Sequence, residues 1–442
     1  MVKKLIKNFS ELFLQTTQNK KIHLVSHFDT DGITSAAILS KALEKLERQF
    51  SIKILKQLTE EEIALFPNDR LILLADLGSG SLDLLSKIPN KVFIIDHHEI
   101  TGTQGENINI LNPHLIKESE ELCGAELCYL FAKFLSEDNK KLAHLAIVGM
   151  VGDTMEKEIN KTRNEIINDA DVKIKKGLLL YPSTRPIDRT LEYSSRPFIP
   201  GVTGNSKGTF DLLREAGIER TDKFYKSLID LDEDEMKRLA TAVTLRLSAK
   251  ESSELIGNLY PIKFFNKLED ARELSAIINA CSRMDKPEIA LMLCLGNSNA
   301  RKKAERIYLS YRQHIISGLK YIDQNNKIQG REYVIINAKD QIKDTIIGTL
   351  ASILSFSQIY KEGTIIITMA YNNDKIKVSA RMAGRNPKSS RNLKELMDSI
   401  TGSIGGESGG HKDAAGCIID KKDEEDFIKL VKSKLEYELI KV

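Results

Sequence analysis

The amino-acid sequence predicts an α/β protein of more than one domain, with a parallel sheet near the amino terminus. Helical and strand-like patterns alternate through the first 155 residues, which is typical of helices that flank a parallel sheet. Two candidate strands, Leu71–Ala75 and Lys91–Ile95, are almost continuously apolar, as expected of strands that are covered on both faces. The length of 442 residues is too great for a single ordinary domain.

The elements before these strands follow the same alternation. The opening segment, MVKKLIKNFSELFLQ, predicts an amphipathic helix rather than a signal peptide, because Lys7 and Glu11 interrupt its apolar residues. A short apolar run, Ile22–Ser26, predicts the first strand. Helical spacing then predicts a helix over Gly32–Glu47, and Ile52–Leu55 is the next strand candidate.

The middle of the chain has a different pattern. Four of the ten prolines fall between Pro182 and Pro200, which predicts an extended connector rather than a core element. Helical spacing follows in three segments, Lys223–Leu231, Asp234–Ser248 and Lys302–Ile322. The region is therefore expected to be a connector followed by a helical insertion.

Strand patterns return near the carboxyl terminus, at Val334–Ile336, Thr364–Met369 and Lys375–Ser379, with a helical segment at Lys343–Leu354. A second, smaller α/β domain is therefore predicted there. The predicted domains are residues 1–180 for the parallel-sheet domain, 181–325 for the connector and helical insertion, and 326–442 for the second α/β domain.

The composition excludes several classes of protein. Basic residues number 65 and acidic residues 62, a net charge of +3, which excludes a strongly basic nucleic-acid coat but not a local basic groove. No stretch approaches the roughly 18 apolar residues of a membrane span, so no membrane contact is expected. The five cysteines are odd in number and form no C-x-x-C pair, which favours a reduced, cytoplasmic compartment.

Side chains suited to metal binding follow four of the apolar runs. After the first strand, His27, Asp29 and Asp31 occupy alternate positions, which point to the same side in an extended backbone. Gly32 then allows a sharp turn into the next helix. The other three runs end in Asp76, in the triplet Asp96-His97-His98, and in Asp153. Because ligands of α/β sheets bind beyond the carboxyl ends of the strands, these side chains are expected to meet.

Such a set predicts a dinuclear metal site. Two divalent cations roughly 4 Å apart need about eight ligands, one usually a bridging carboxylate, and they clamp a phosphoryl group and lower the pKa of a bound water. Imidazole and carboxylate ligands without a thiolate suit manganese better than magnesium or zinc. Each motif alone has a simpler explanation, since an aspartate after a strand is often the N-cap of the next helix. Their occurrence together and in order favours the metal site.

The ordered set resembles the motifs of the DHH phosphoesterases, a family named after the triplet that is here Asp96-His97-His98. The glycine-rich segment Gly405–Gly416 resembles the signature of the DHH-associated C-terminal domain. Three further segments, Arg185-Pro186, Ile199-Pro200-Gly201 and Asn279-Ala280-Cys281, look most like archaeal RecJ-like nucleases. The resemblance thus spans nearly the whole chain.

The resemblance implies a role for each residue of the site. The implied ligands are His27 and Asp29 for one Mn²⁺, Asp31, His97 and Asp153 for a second Mn²⁺, and Asp76 as the bridge between them, with Mg²⁺ as a substitute metal. Asp76 and His98 are then the catalytic residues, and His98 contacts the scissile phosphate. The family includes replication-fork scaffolds that have lost these ligands, whereas this sequence keeps the whole set.

The carboxyl-terminal signature is expected to bind the substrate. Glycines let backbone N–H groups approach a phosphate or a base closely, and His411 supplies a donor. By resemblance, Arg381 contacts a phosphate, for which its forked guanidinium is suited. The predicted substrate-binding residues are His98, Arg381, Gly409, Gly410 and His411. Arg381 belongs to an acid-free basic run that consists of Lys375, Lys377, Arg381, Arg385, Lys388, Arg391 and Lys394.

A manganese-dependent exonuclease is the function that the resemblance favours, acting on single-stranded DNA or RNA from an end, in DNA repair or replication. The first alternative is a phosphodiesterase of short oligonucleotides or cyclic dinucleotides. More than 150 residues separate Asp153 from the second α/β domain, whereas relatives of that kind are compact. The second alternative is a replication-fork scaffold that binds GINS or other replication proteins and keeps residual nuclease activity.

Overall fold

The computed structural model describes residues 2–117, 120–180, 182–194, 197, 199–221, 224–247, 255–357, 359–384 and 391–438. The chain divides into two compact units. The first contains residues 1–282 and 286–305, and the second contains residues 283–285 and 306–442. Each unit is built around its own β-sheet.

The first unit contains a five-stranded parallel sheet with the strand order β2-β1-β3-β4-β5. Its strands are β1 (Ile22–His27), β2 (Phe50–Leu55), β3 (Leu71–Ala75), β4 (Val92–Ile95) and β5 (Ile108–Leu111). Two antiparallel pairs are β6 (Lys175–Leu178) with β7 (Ile256–Leu259), and β8 (Pro261–Phe264) with β9 (Lys267–Asp270).

The helices of the first unit alternate with the strands of the parallel sheet and then continue beyond it. They are α1 (Val2–Thr16), α2 (Thr30–Lys45), α3 (Glu60–Ala64), α4 (Leu82–Leu85), α5 (Gly124–Leu135), α6 (Ala143–Gly152), α7 (Lys161–Asp169), α8 (Ile187–Glu192), α9 (Ser206–Glu215), α10 (Glu233–Thr244), α11 (Ala271–Arg283) and α12 (Pro287–Cys294). A further helix, α13 (Ser298–Gln324), contains the boundary between the units.

Helices cover both faces of the parallel sheet, as its apolar strands predict. On one face, Phe9 and Phe13 of α1 and Phe131 of α5 form an edge-to-face aromatic cluster with Phe93 of β4. On the other face, Leu74 of β3 belongs to a core cluster with residues of α3 and α4. Since alternate residues of a strand face opposite sides, both faces need apolar side chains. The predicted strands and the parallel sheet are therefore confirmed.

The proline-rich stretch is not the extended connector that the sequence predicts. It contains the helix α8, and its residues Ile187, Leu191 and Ile199 are buried in a core shared with α9 and α10. Pro186 is the N-cap residue of α8, a position at the start of a helix, where the missing N–H of proline costs little. The prolines thus separate short elements of a core rather than mark an exposed linker.

The prediction of a helix over Lys223–Leu231 is also wrong for residues 224–231, which the structure describes. Only Leu228–Asp230 is helical there, as a single 3₁₀ turn. Ser227 Oγ donates to Asp230 Oδ2 at 2.5 Å, and this local bond competes with continuation of a helix. The other two predicted helices of the region are present as α10 and α13.

The second unit contains a six-stranded mixed sheet with the order β10-β11-β12-β13-β15-β14. Its strands are β10 (Ile328–Gln329), β11 (Tyr333–Asn337), β12 (Ile365–Asn372), β13 (Lys375–Met382), β14 (Glu407–His411) and β15 (Ala414–Asp420). Its other helices are α14 (Asp344–Phe356), α15 (Leu393–Ile404) and α16 (Glu424–Glu438). The predicted fold class, with a parallel sheet, a helical region and a second α/β sheet, is confirmed. No helix within the described ranges combines the length and the apolar character needed to cross a membrane.

Candidate metal centre

The first residues of the site lie in the turn between β1 and α2. β1 ends at His27, and Asp29 is the N-cap of α2, with its Oδ1 accepting the N–H of Gly32 at 3.0 Å. The other carboxylate oxygen, Oδ2, lies 3.0 Å from His27 Nδ1. A Cβ at Gly32 would lie 2.3 Å from the carbonyl oxygen of His27, so this turn requires glycine. The prediction that the backbone stays extended through Asp31 is wrong, because α2 begins at Thr30.

Asp76 follows β3 and lies within reach of two imidazoles. Its backbone is left-handed, with φ of 57°, which is uncommon for a residue with a Cβ. Its side chain is 2% exposed, and its oxygens lie 3.4 Å from His97 Nε2 and 3.6 Å from His27 Nδ1. Within the described part of the chain, neither oxygen accepts a hydrogen bond. A carboxylate buried in this way is unfavourable unless a cation binds it, which suits a bridging metal ligand.

A second group forms around His97. The Nε2 atom of His97 lies 3.8 Å from Asp31 Oδ2 and 3.7 Å from Asp153 Oδ2. His97 follows β4, Asp31 lies in the first turn of α2, and Asp153 is the C-cap of α6. The ligands thus lie at or just beyond the ends of five elements, β1, α2, β3, β4 and α6.

The ligand atoms form three sets whose members lie within 4.8 Å of one another. The sets are His27 with Asp29 and Asp76, Asp31 with His97 and Asp153, and Asp76 with His97 and His98. Every predicted metal ligand is therefore part of one cluster. Its donors are imidazole nitrogens and carboxylate oxygens without a thiolate, which fits Mn²⁺.

The charges of the cluster shift several protonation equilibria. Burial raises the pKa of Asp153 to about 6, and the carboxylates of Asp76 and Asp29 add to the increase. Burial also raises the pKa of Asp31, as does the negative charge of Asp76. Burial opposes the protonation of His97, but the surrounding carboxylates outweigh it and raise its pKa to about 10. The cluster therefore retains protons that a divalent cation would displace on binding.

Backbone N–H groups at the start of α5 hold one of the carboxylates. Gly124 N donates to Asp31 Oδ2 at 2.7 Å, and Ala125 N donates to Asp31 Oδ1 at 2.9 Å. The partial positive charge of a helix N-terminus favours the ionised form of Asp31. The sequence does not reveal this contribution, because the helix has Cys123 at its N-cap, in place of the usual serine, threonine or aspartate.

We expect Gly124→Ala to weaken Mn²⁺ binding by about 10- to 100-fold, the usual effect of losing a group that supports a metal ligand. A Cβ at Gly124 would lie 2.8 Å from Asp76 Cβ and 2.9 Å from Asp31 Oδ2, so the start of α5 must shift away. Titration calorimetry with Mn²⁺ measures the effect. Gly402→Ala is the control, since a Cβ there has no described atom within 4 Å apart from the adjacent backbone of its own helix. Equal affinities of the two variants would contradict the prediction.

Comparisons with known families match three separate segments of the chain. The DHH family, N-terminal domain, matches residues 21–150, the DHH-CID domain matches residues 180–257, and the DHHA1 domain matches residues 331–436. The chain belongs to the DHH superfamily. The first match contains every predicted metal ligand except Asp153, and the third contains Arg381 and the glycine-rich strand β14.

Relatives and solved structures give this DHH protein a RecJ-like fold. An uncharacterized protein of Methanocaldococcus jannaschii is 28% identical over 424 residues, which cover 93% of this chain and 92% of that protein. A crystal structure of exonuclease RecJ bound to manganese aligns with a TM-score of 0.62 at 17% identity, covering 97% of this chain and 94% of that one. The crystal structure of CDC45 from Entamoeba histolytica aligns with a TM-score of 0.66 at 14% identity, covering 97% and 98% of the two chains.

The three residues of the triplet that names the DHH superfamily lie in different environments in this protein. Asp96 is buried, and its Oδ1 accepts the N–H of His97 at 2.8 Å and lies 2.7 Å from His98 Nδ1. The hydrogen bond to Asp96 raises the pKa of His98. The side chain of His98 is 55% exposed, compared with 13% for His97. His97 therefore lies inside the cluster, and His98 lies at its open side.

The other predicted substrate-binding residues of the DHH protein lie in the second unit. Arg381 on β13 is opposite Ala414 on β15, which is opposite His411 on β14. Residues directly opposite in an antiparallel sheet project from the same face, so Arg381 and His411 share a face two strands apart. The Nε atom of Arg381 donates to Ser352 Oγ at 3.1 Å.

The glycines of the signature form an exposed edge strand. Gly409 is opposite Gly416 on β15, and apart from its chain neighbours no described residue has an atom within 4 Å of a Cβ built on Gly409. Gly410 has φ of 128°, which favours glycine. Of the basic run that precedes this strand, Arg385 and Lys388 lie outside the described residues.

Proposed function

We propose that this protein is a Mn²⁺-dependent exonuclease that hydrolyses single-stranded DNA or RNA from an end to nucleoside monophosphates. The observation that carries the proposal is the ligand cluster around Asp76, whose buried oxygens accept no hydrogen bond from the described residues. The fold shared with an exonuclease RecJ that binds manganese supports the same chemistry.

The proposed ligands divide between two cations. His27 and Asp29 would hold one, Asp31, His97 and Asp153 would hold the other, and Asp76 would bridge them. When bound, the cations would polarise the phosphoryl group and lower the pKa of a water. Mg²⁺ would substitute for Mn²⁺, since carboxylate oxygens also suit that smaller cation.

His98 is the side chain that the proposal places against the scissile phosphate. Its ring is largely exposed and adjoins the cluster, with Nδ1 3.9 Å from Asp76 Oδ1. The bond to Asp96 favours the protonated imidazole. A protonated imidazole donates a charge-assisted hydrogen bond to a phosphate oxygen and stabilises the negative charge that develops there.

The second unit would bind the backbone of the strand through Arg381 and His411. Burial lowers the pKa of Arg381, and the positive charge of Arg283 lowers it further. Arginine stays charged despite such a shift, so the positive charge of Arg381 is available to a phosphate. Forked guanidinium groups of this kind match the oxygens of a phosphate.

We expect the protein with Mn²⁺ to have a kcat/KM on a single strand of about 20 nucleotides that exceeds its value on a dinucleotide by about 10-fold or more, equivalent to about 1.4 kcal/mol of added binding. The longer strand offers phosphates both to the metal centre and to Arg381 and His411. Chromatography of products from DNA and RNA strands labelled at the 5′ or the 3′ end measures the rates and the direction. A duplex of the same sequence and excess chelator are the controls.

A hydrolase of short oligonucleotides or cyclic dinucleotides is the alternative with the same chemistry. A clear preference for the dinucleotide in these assays would favour it over the exonuclease. The match of residues 180–257 to the DHH-CID domain and the 27-residue helix α13 oppose it, since they add surface that a short substrate does not need.

A replication-fork scaffold is a second candidate, which the fold shared with CDC45 favours. GINS or other replication proteins would then bind this protein. The intact ligand cluster supports activity beside any such binding. Copurification with GINS subunits, combined with the nuclease assay, tests this candidate, and binding without any nuclease activity would favour the scaffold alone.

A further inference from the structure

Asn112, the residue after β5, joins three segments at the carboxyl edge of the parallel sheet. Its side chain is buried, and its Nδ2 donates to Ser79 Oγ and to the carbonyl oxygen of His98, both at 2.9 Å. Its Oδ1 accepts the N–H of His114, also at 2.9 Å. One amide thus connects the segments that follow β3, β4 and β5, and all of its hydrogen-bonding groups are used.

The contacts of Asn112 close into a ring of hydrogen bonds around His98. The backbone N–H of Ser79 donates to Asp96 Oδ2 at 2.9 Å. The other oxygen of Asp96 lies 2.7 Å from His98 Nδ1. His98 is therefore held at its ring by Asp96 and at its carbonyl oxygen by Asn112. Ser79, Asp96 and Asn112 are all buried, and a buried polar network whose members are all bonded is rigid.

We propose that Asn112 is a positioning residue for His98, an inference that rests on the proposed function, in which His98 contacts the scissile phosphate. With Nδ1 turned to Asp96, the Nε2 atom on the opposite side of the ring is the one presented to the substrate. Fixing that atom in place before the substrate binds removes an ordering step from the reaction. Asparagine is required, because aspartate has the same shape but no donor.

Asn112→Asp is the variant that tests the assignment. We expect kcat to fall by about 10- to 100-fold, as for other residues that orient a functional histidine. The dissociation constant of Mn²⁺ should stay within about twofold, because Asn112 bonds no metal ligand, and coupling energies are small between residues without shared partners. In His98→Ala protein, the same change should lower kcat by less than about twofold, since the group to be positioned is gone. A full additional loss in that background would overturn the proposal.

Asn90→Asp is the matched control. Asn90 is 5% exposed, and its Nδ2 also donates to two carbonyl oxygens, those of Pro67 at 3.0 Å and Arg70 at 2.8 Å. It precedes β4 and so lies at the opposite end of the sheet. The variant should lower stability and leave kcat unchanged, and a kcat loss equal to that of Asn112→Asp would overturn the proposal. If Asn112→Asp does not fold, Ser79→Ala removes one hydrogen bond of the same ring. Ser79→Ala then replaces Asn112→Asp in the comparison with and without His98→Ala.

Nitrogen-15 NMR of the His98 ring separates this inference from the proposed function. We expect the wild-type His98 ring to keep its Nδ1 hydrogen bonded to Asp96, and Asn112→Asp to show a mixture of bonded and unbonded rings. That change in a protein without phosphodiesterase activity would refute the proposed function and leave the positioning intact. An unchanged His98 signal in Asn112→Asp would refute the positioning itself.

Discussion

Asp76→Ala is expected to lower Mn²⁺-dependent phosphodiesterase activity by at least about 10³-fold. Loss of one group that stabilises the transition state of an enzyme costs about 10²- to 10³-fold, and the bridging position would serve two cations at once. Asp76 lies between His27, the last residue of β1, and His97, which follows β4, so its removal leaves both groups of ligands incomplete. Steady-state rates on a labelled single strand, with Mn²⁺ saturating for wild type, measure the loss.

Asp69→Ala is the control for the removal of a negative charge. Asp69 precedes β3, whereas Asp76 follows the same strand, and its side chain is 67% exposed beside Arg70. Its loss should leave the rate unchanged. Activity of Asp76→Ala within about tenfold of wild type would show that the cluster is not the reacting centre, since tenfold corresponds to only about 1.4 kcal/mol of barrier.

Arg163→Met is expected to lower the free energy of unfolding of the first unit by about 3–5 kcal/mol, the usual result of removing one partner of a buried ion pair. Arg163 of α7 and Glu126 of α5 are 2% and 1% exposed. Their two parallel hydrogen bonds are 2.7 Å and 2.9 Å long. The variant leaves the carboxylate of Glu126 buried without its guanidinium. Urea denaturation, followed by circular dichroism, measures the midpoint and the slope.

Lys3→Met is the matched control for the loss of an ion pair to α7. Lys3 pairs with Glu165 of that helix at 2.7 Å, but the two side chains are 68% and 38% exposed. Such exposed pairs contribute about 0–1 kcal/mol. Glu126→Leu added to Arg163→Met should recover most of the lost stability, because two apolar side chains replace a buried pair well. A double variant as unstable as the single one would show that the loss is due to packing.

The ends of the strands were predictable because the apolar run stops where the chain leaves the sheet. Ala75 and Ile95 are the last residues of β3 and β4, and polar site residues follow both directly. The backbone around Asp29 was not predictable, since alternate spacing fits both a continued strand and an N-cap. Only the structure shows that one carboxylate oxygen caps α2 and the other faces His27.

Residues that act through tertiary contacts could not be predicted from the sequence. Asn112 stands before a proline, a pattern that predicts only a turn, and its partners Ser79 and His98 lie 33 and 14 positions away. Gly124 stands in no recognisable motif, and its importance comes from the approach of α5 to Asp31. The sequence therefore predicts the metal ligands of a site better than it predicts the residues that hold those ligands in place.

The edge position of β14 has a consequence for the solubility of the protein. An edge strand presents backbone donors and acceptors to which a strand of another molecule can add, the first step of aggregation. β14 has only five residues, Glu407–His411, and includes two adjacent glycines. Short, glycine-rich and charged segments are poor templates for stacking between chains. The features of β14 thus make it a poor site for the addition of a strand from another copy of the chain.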